Sequence, residues 1–149
     1  MTETSSRRAL AGVVALLAVP WSIQVYESGA VTVLFAWGSV TPSVASVTTL
    51  ADFLLRYTAG LPEWLYAWPI ATLLYGLGLV SAALGVVADR EDVRLTAGLL
   101  SLAGVGTLWL AWGFSAQLGR VAVPVGTVAL WAVVWLFYVP LVRASARAS

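Results

Sequence analysis

Residues 87–98 read VADREDVRLTAG, and this stretch gathers five charged side chains within six positions: Asp89, Arg90, Glu91, Asp92 and Arg94. On each side lie twenty-five consecutive residues without a charge, 64–88 and 95–119. A helix of about 20 apolar residues crosses the roughly 30 Å hydrocarbon core of a bilayer. The pattern therefore predicts two membrane-spanning helices joined by a short, charged turn in water.

The composition of the whole chain agrees with a membrane setting. Of its 149 residues, 60% are hydrophobic and only 10% are charged, whereas soluble domains carry about 25% charged residues. The chain has no Cys and no His, which excludes disulfides, thiolate nucleophiles and imidazole metal sites. A net charge of +1 gives no electrostatic basis for binding nucleic acid.

Two further uncharged stretches extend the pattern, residues 9–26 and 121–142. The chain is therefore predicted to be an all-α membrane protein. Residues 1–149 would form a single integral membrane domain, with four transmembrane helices in an antiparallel bundle at about 9–26, 64–88, 95–116 and 122–142. Pro20 and Pro140 are predicted to kink the first and last helices. A signal peptide starting at the paired arginines is the alternative for the first stretch, although no small-x-small cleavage site follows it.

The arginines predict the orientation of this bundle. With four spans, Arg56 and Arg120 fall on one side, and the other six of the eight arginines fall on the opposite side: Arg7, Arg8, Arg90, Arg94, Arg143 and Arg147. Arginine is enriched on the cytoplasmic side of membrane proteins. The N- and C-termini are therefore expected in the cytoplasm, in a multi-pass protein of the cell membrane.

Residues 28–63 are predicted to lie outside the membrane. Thr41-Pro42 resembles a helix start, and the sequence from Val44 onward places apolar and polar residues on opposite faces of an extracytoplasmic amphipathic helix. The preceding AVTVLFAWG, residues 30–38, is rich in β-branched and aromatic residues. It could be an extended segment over the bundle, a short hairpin or a re-entrant turn.

Small residues indicate how the second and third spans pack. In lipid, close helix contact depends on small side chains. The predicted contact joins Gly78, Ser81, Ala82 and Gly85 of the second span with Ala97, Ser101 and Gly104 of the third.

Two sets of residues are candidates for function. Trp131, Trp135 and Tyr138 recur along one stripe of the fourth span, which either packs against lipid and a neighbouring helix or forms an interface with a partner protein. Charged residues of the predicted outer surface form the second set, which is either an ion or headgroup site or a group of solvated boundary charges: Glu27, Asp52, Arg56, Glu63 and Arg120. No acid, base or His lies within a predicted span, so no catalytic, cofactor-binding or metal-binding residue is predicted.

Five segments resemble a family of small uncharacterised multi-span membrane proteins of halophilic archaea: VPW (19–21), GLPEWLYAWPIATLLYGLGL (60–79), EDVRLTAGLLSLAG (91–104), GFSAQLGRVAVPVG (113–126) and WAVVWLFYVP (131–140). The resemblance implies a cell membrane at very high salt. It implies no activity and no functional residues.

Three functions are compatible with these features. The first is a non-enzymatic accessory, scaffold or assembly subunit of a membrane complex, whose partners are the lipid bilayer and other membrane protein subunits. The second is a small transporter or a binder of an apolar ligand such as a quinone or isoprenoid lipid. The third is a membrane enzyme, which would require the outer carboxylates to converge on a pocket.

Overall fold

The computed structural model describes residues 3–42, 46–52, 66–88, 92–116 and 119–148. Its helices are α1 (Glu3–Ala15), α2 (Ala67–Val87), α3 (Val93–Ser115), α4 (Val125–Val133) and α5 (Val139–Ala148), with a π-helical turn at Val134–Tyr138 between the last two. Its strands are β1 (Ser22–Tyr26), β2 (Val31–Leu34), β3 (Gly38–Thr41), β4 (Ser46–Thr49) and β5 (Arg120–Val123).

The strands form one five-stranded antiparallel sheet in the order β4-β3-β2-β1-β5. The prediction of an all-α four-helix bundle is therefore wrong. Residues 22–26, SIQVY, alternate polar and apolar side chains, which is the two-residue period of a strand. The absence of charge over residues 9–26 hides this period, because an uncharged stretch of that length also fits a spanning helix.

The predicted first span consists of two different elements. Helix α1 ends at Ala15 after only 13 residues, and β1 begins at Ser22. The predicted kink at Pro20 is also wrong, because Pro20 lies between the helix and the strand. The Trp21 N–H donates to the Leu34 carbonyl at 2.6 Å and starts the pairing of β1 with β2.

The predicted amphipathic helix is wrong over residues 46–49, which form β4. Thr41 is the last residue of β3, and Pro42, which follows it, is in a 3-10 helical conformation. Residues 31–34 and 38–41 pair as a hairpin, one of the three conformations considered for this stretch. Residues 50–52 are helical. The rest of the predicted helix, as far as Gly60, falls within residues 53–65, which are outside the described residues and include Arg56 and Glu63.

Three helices among the described residues are long and apolar enough to cross a membrane: Ala67–Val87, Val93–Ser115 and Val125–Ala144. The first two flank the charged turn from which they were predicted. Asp92 caps α3, since its carboxylate accepts the N–H groups of Arg94 and Leu95 at 3.0 and 3.3 Å. A cap of this kind satisfies backbone donors that the helix itself leaves open.

The third apolar helix widens before Pro140. The Val139 N–H donates to the Val134 carbonyl, five residues back, instead of four. Proline has no N–H, and its ring collides with the preceding turn of a regular α-helix. The π-helical turn relieves that collision, so the distortion predicted at Pro140 takes the form of a local widening.

The small residues of α2 are buried against α3. A side chain at Gly78 would contact Leu100, and the hydroxyls of Ser81 and Thr96 are 2.6 Å apart. The small residues of α3 differ from the prediction, because Gly104 packs against Trp131 of α4. Ser101 also faces Trp131, through its carbonyl oxygen.

The sheet lies at one end of the helices, which we name the sheet end. The Trp68 indole donates to the Phe35 carbonyl at 3.0 Å, and the Thr72 hydroxyl donates to the Ala36 carbonyl at 2.9 Å. The end of α1 also lies near the sheet, since the Trp37 indole donates to the Leu17 carbonyl. Helix α1 therefore runs toward the sheet from the opposite end of the helices, and its Gly12 packs on Phe137.

The opposite end of the helices is the arginine end, which contains the start of α1, the start of α3 and the end of α5. Five arginines with described side chains lie there: Arg7, Arg8, Arg94, Arg143 and Arg147. The two termini of the described chain are therefore on the same side of the helices.

Candidate functional site

An apolar groove of about 310 Å³ opens on the outside of the helices, between α3 and the π-helical turn. We name it the tryptophan groove. Its lining residues are Ser101, Leu102, Val105, Trp131, Val134, Trp135 and Val139. Two of them, Val134 and Trp135, belong to the π-helical turn, a distortion that recurs at functional sites in proteins.

Trp131 forms a fixed wall of the tryptophan groove. Its indole N–H donates to the Ser101 carbonyl at 3.1 Å, and its ring lies against Gly104, where any side chain would overlap it. Trp135 is 66% exposed at the rim. No hydrogen bond to the Trp135 indole occurs within the described part of the chain. One tryptophan is thus held rigidly, and the other is presented outward.

Tyr138 lies apart from the two tryptophans, although the three residues are predicted to share a stripe. Its side chain is fully buried in the core with Leu130 and Ala9. The π-helical turn explains the separation, because one additional residue in the turn rotates Tyr138 away from the face that carries Trp135. The candidate interface is therefore reduced to Trp131 and Trp135.

The predicted outer polar cluster does not assemble among the described residues. Glu27 follows β1 and lies beside Gly119, next to the backbone of Arg120 in β5. Asp52 follows β4, at the opposite edge of the sheet. Three strand spacings separate β1 from β4, about 14 Å at the usual 4.7–4.9 Å per strand. Arg56 and Glu63 lie outside the described residues, as does the side chain of Arg120.

The described residues hold no group of three His, Cys, Asp or Glu side chains that could bind a metal ion. Buried hydroxyls instead bond to each other and to the backbone. The Thr107 and Thr127 hydroxyls are 2.8 Å apart, and both lie within 3.0 Å of the Gly104 carbonyl oxygen. Such bonds join helices in apolar surroundings and provide no base that could activate a nucleophile.

Two more apolar grooves lie along the outer face of α3. One, of about 460 Å³, is lined by Val105, Leu108, Trp109 and Trp112. The other, of about 450 Å³, is lined by Ala67, Ile70, Leu74, Leu102, Val105, Gly106 and Trp109. Helix α3 thus presents an exposed apolar ridge between grooves.

The sequence contained a signal for this ridge that our prediction did not use. Exposed residues of α3 recur at alternating spacings of three and four: Leu95, Gly98, Leu102, Val105, Trp109 and Trp112. This spacing matches the apolar seam along which helices pack in coiled coils. The same period also marks any face that points away from a bundle, so the tertiary structure is needed to show that the ridge borders open grooves.

The described residues thus define a protein with three helices that could cross a membrane and a five-stranded antiparallel sheet at one end. The chain belongs to a protein family, described as Domain of unknown function (DUF8050), which matches residues 1–148. Comparison with curated proteins found no match, and comparison with solved structures found none either.

The contact of Gly104 with Trp131 gives the first testable prediction. Gly104→Ala is expected to push the Trp131 ring outward, break its bond to Ser101 and destabilise the protein by about 1–3 kcal/mol. Gly98→Ala is a matched control in the same helix, since nothing lies within 4 Å of a side chain added there. Unfolding in detergent micelles measures both changes, and equal stability of the two variants would contradict the described contact.

Proposed function

We propose that this protein is a non-enzymatic integral membrane protein that serves as an accessory, scaffold or assembly subunit of a membrane complex. In this proposal, the tryptophan groove binds a transmembrane helix of a partner subunit. The resemblance to proteins of halophilic archaea suggests a cell membrane at high salt as its setting.

The exposed indole of Trp135 is the observation that carries the proposal. Trp135 lies in the middle of the apolar helix Val125–Ala144 and is 66% exposed. Tryptophan usually lies at the membrane surface, where its N–H meets water. In the middle of a bilayer an indole N–H lacks an acceptor, and this costs free energy. A partner helix that offers a carbonyl or hydroxyl oxygen would remove that cost.

The rigidity of Trp131 supports a protein partner. A side chain that is already held by Ser101 and Gly104 loses little conformational freedom on binding. Tryptophan is also among the residues that most often dominate binding energy at protein interfaces. Trp131 thus has the chemistry of a preorganised anchor, beside the exposed indole of Trp135.

The distribution of charge supports the proposed orientation. The arginine end carries five described arginine side chains, whereas Glu27 and Asp52 lie at the sheet end. Arginine is enriched on the cytoplasmic side of membranes. We therefore assign the arginine end and both termini to the cytoplasm, and the sheet to the outer side.

Crosslinking tests the proposal, and the natural absence of Cys allows single-cysteine variants to be labelled cleanly. Leu102→Cys places a photoreactive benzophenone at the tryptophan groove, at a residue that is 56% exposed. Leu77→Cys, at a residue of α2 that is 49% exposed, is the matched control away from this groove. In native membranes we expect a protein adduct from Leu102→Cys and none from Leu77→Cys.

A second variant tests the role of the anchor itself. Adding Trp135→Ala to Leu102→Cys is expected to lower the yield of the adduct about tenfold or more, as for a residue that dominates an interface. An adduct of the same yield from both labelled positions would contradict a specific partner. Adducts with lipid alone would remove the accessory-subunit proposal.

A specific observation favours one alternative, a small transporter or a binder of a quinone or isoprenoid lipid. The groove of about 450 Å³ between α2 and α3 has a volume typical of ligand sites. Mass spectrometry of the purified protein distinguishes the two functions. A stoichiometric apolar molecule that survives detergent washing would favour the alternative, and its absence would count against it.

A further inference from the structure

One face of the sheet is formed almost entirely by β-branched aliphatic side chains. In the observed register a single row crosses all five strands, through Val47, Val40, Val33, Ile23 and Val123. A second row on the same face contains Val31, Val25 and Val121. The remaining paired residues of this face are Gly38 and Thr49. We name it the aliphatic face, and the paired positions on it include no charged residue.

The opposite face of the sheet is polar and turned toward the helices. Ser22 and Gln24 are only 1% and 2% exposed. Beside them on the same face, Leu34 and Ala122 pack with residues of α2 and α3 that include Phe114. In a soluble protein the aliphatic face of such a sheet would be buried and the polar face would meet water. Here the arrangement is reversed, and Val47, Val121 and Val123 are exposed.

The free edge of β5 is closed by a side chain of α3. The Ser115 hydroxyl accepts the Ala122 N–H at 3.1 Å and donates to the Ala122 carbonyl at 3.3 Å. Unpaired backbone groups at a sheet edge are not tolerated in hydrocarbon, where no water can replace the missing bonds. In water this edge would need no such partner. The Ser115 contact therefore favours an apolar environment for this edge.

The sheet begins beside the helices, well before they end. Trp21, next to β1, packs on Gly126, and the neighbouring Thr127 bonds to the Gly104 carbonyl. Gly104 precedes the end of α3 at Ser115 by about 16 Å at 1.5 Å per residue. The ends of the strands nearest Trp21 are thus level with the apolar part of α3. The aliphatic face continues the exposed apolar surface of the helices.

We infer that the sheet lies partly within the outer leaflet, with its aliphatic face against lipid acyl chains. Helix α1 and strand β1 together then make one pass through the bilayer, half helical and half extended. Strands β1, β2 and β3 meet the requirement for hydrogen bonding in lipid through neighbours on both sides, and Ser115 bonds the backbone of Ala122 at the edge of β5. This inference rests on the proposed placement of the helices in a membrane.

Spin labels on single cysteines test this inference in lipid nanodiscs. Val47→Cys and Val123→Cys label the two ends of the aliphatic row, so that one reporter remains if the other variant does not fold. Leu77→Cys reports on the lipid-facing side of α2, and Ser28→Cys reports on the exposed turn between β1 and β2. Accessibility to oxygen, which concentrates in lipid, is compared with accessibility to a water-soluble nickel chelate.

We expect both sheet labels to behave like the label at Leu77→Cys, which is accessible to oxygen and shielded from the nickel chelate. The label at Ser28→Cys should be accessible to the nickel chelate. If the sheet labels match Ser28→Cys while Leu77→Cys remains in lipid, the inference is wrong and the proposed function stands. If Leu77→Cys is itself open to nickel, the membrane placement fails as well. Labels that are shielded from both reagents and show spin coupling between copies would overturn the inference in favour of a dimer interface.

Discussion

Gly126→Ala is expected to destabilise the protein by about 3 kcal/mol or more, at the upper end of the range for overpacking in a core. A Cβ at this position would lie 2.7 Å from the Trp21 Cα and 2.9 Å from the Trp21 carbonyl oxygen. These are backbone atoms, which cannot rotate aside. Gly126 also donates its N–H to the Trp21 carbonyl at 2.8 Å, so that any shift also weakens this bond.

Gly76→Ala is the matched control for this change, because a side chain added at Gly76 meets nothing within 4 Å. It should leave stability unchanged or slightly increased, since alanine is the better helix former. Reversible unfolding in mixed micelles gives both free energies. If Gly126→Ala were as stable as Gly76→Ala, the close contact between Trp21 and α4 would not exist in the folded protein.

Trp21→Ala is expected to cost about 3–5 kcal/mol, as for other large-to-small changes of buried aromatic residues. The Trp21 side chain is fully buried and meets Tyr75 edge to face, with ring centroids 5.5 Å apart. Removing it opens a cavity where the start of β1 meets α2. We expect the sheet to detach from the helices, which protease sensitivity of residues 22–41 would detect alongside the loss of stability.

Trp21→Phe separates the packing of the ring from its hydrogen bonding. The Trp21 indole N–H has no hydrogen-bond partner within the described parts of the chain. Phenylalanine should therefore retain much of the stability, at a cost of about 1–3 kcal/mol from the smaller ring. Equal losses for alanine and phenylalanine would mean that the indole N–H contributes a bond not present in the structure.

Both predictions concern the contact that joins the sheet to the helices. Trp21 is bonded to β2 through its N–H and to α4 through its carbonyl oxygen. Its ring packs on α2. A single residue therefore connects three elements that are far apart in sequence. Loss of this contact should disturb the position of the sheet, and with it the aliphatic face, more than the shape of the tryptophan groove. Trp131 in that groove is bonded to α3 and does not depend on Trp21.

The tryptophan groove could be predicted only in part. The sequence identified Trp131 and Trp135 by their spacing on a helix, and both line the groove. A regular helix would place Tyr138 on the same stripe, but the π-helical turn rotates it into the core. Gly104 was assigned to the contact with α2, although it packs on Trp131 of α4. Small residues show that a neighbour comes close without showing which neighbour it is.

Helices α2 and α3 were determined by the sequence itself. Their hydrogen bonds join residues four apart, so an uncharged stretch between charged ends contains nearly all the information that each helix needs. Asp92, at the charged turn, caps α3 through N–H groups only two and three residues away. The arginine distribution, from which the orientation of the helices is predicted, can likewise be read from positions in the sequence alone.

The sheet was decided by the tertiary structure. Ile23 pairs with Val123, one hundred residues later in the chain, and Ser115 of α3 closes the edge of β5. A strand draws its hydrogen bonds from distant partners, so residues 22–26 could not be separated by local pattern from the end of an apolar helix. Only the folded chain brings those partners together and thereby forms the aliphatic face.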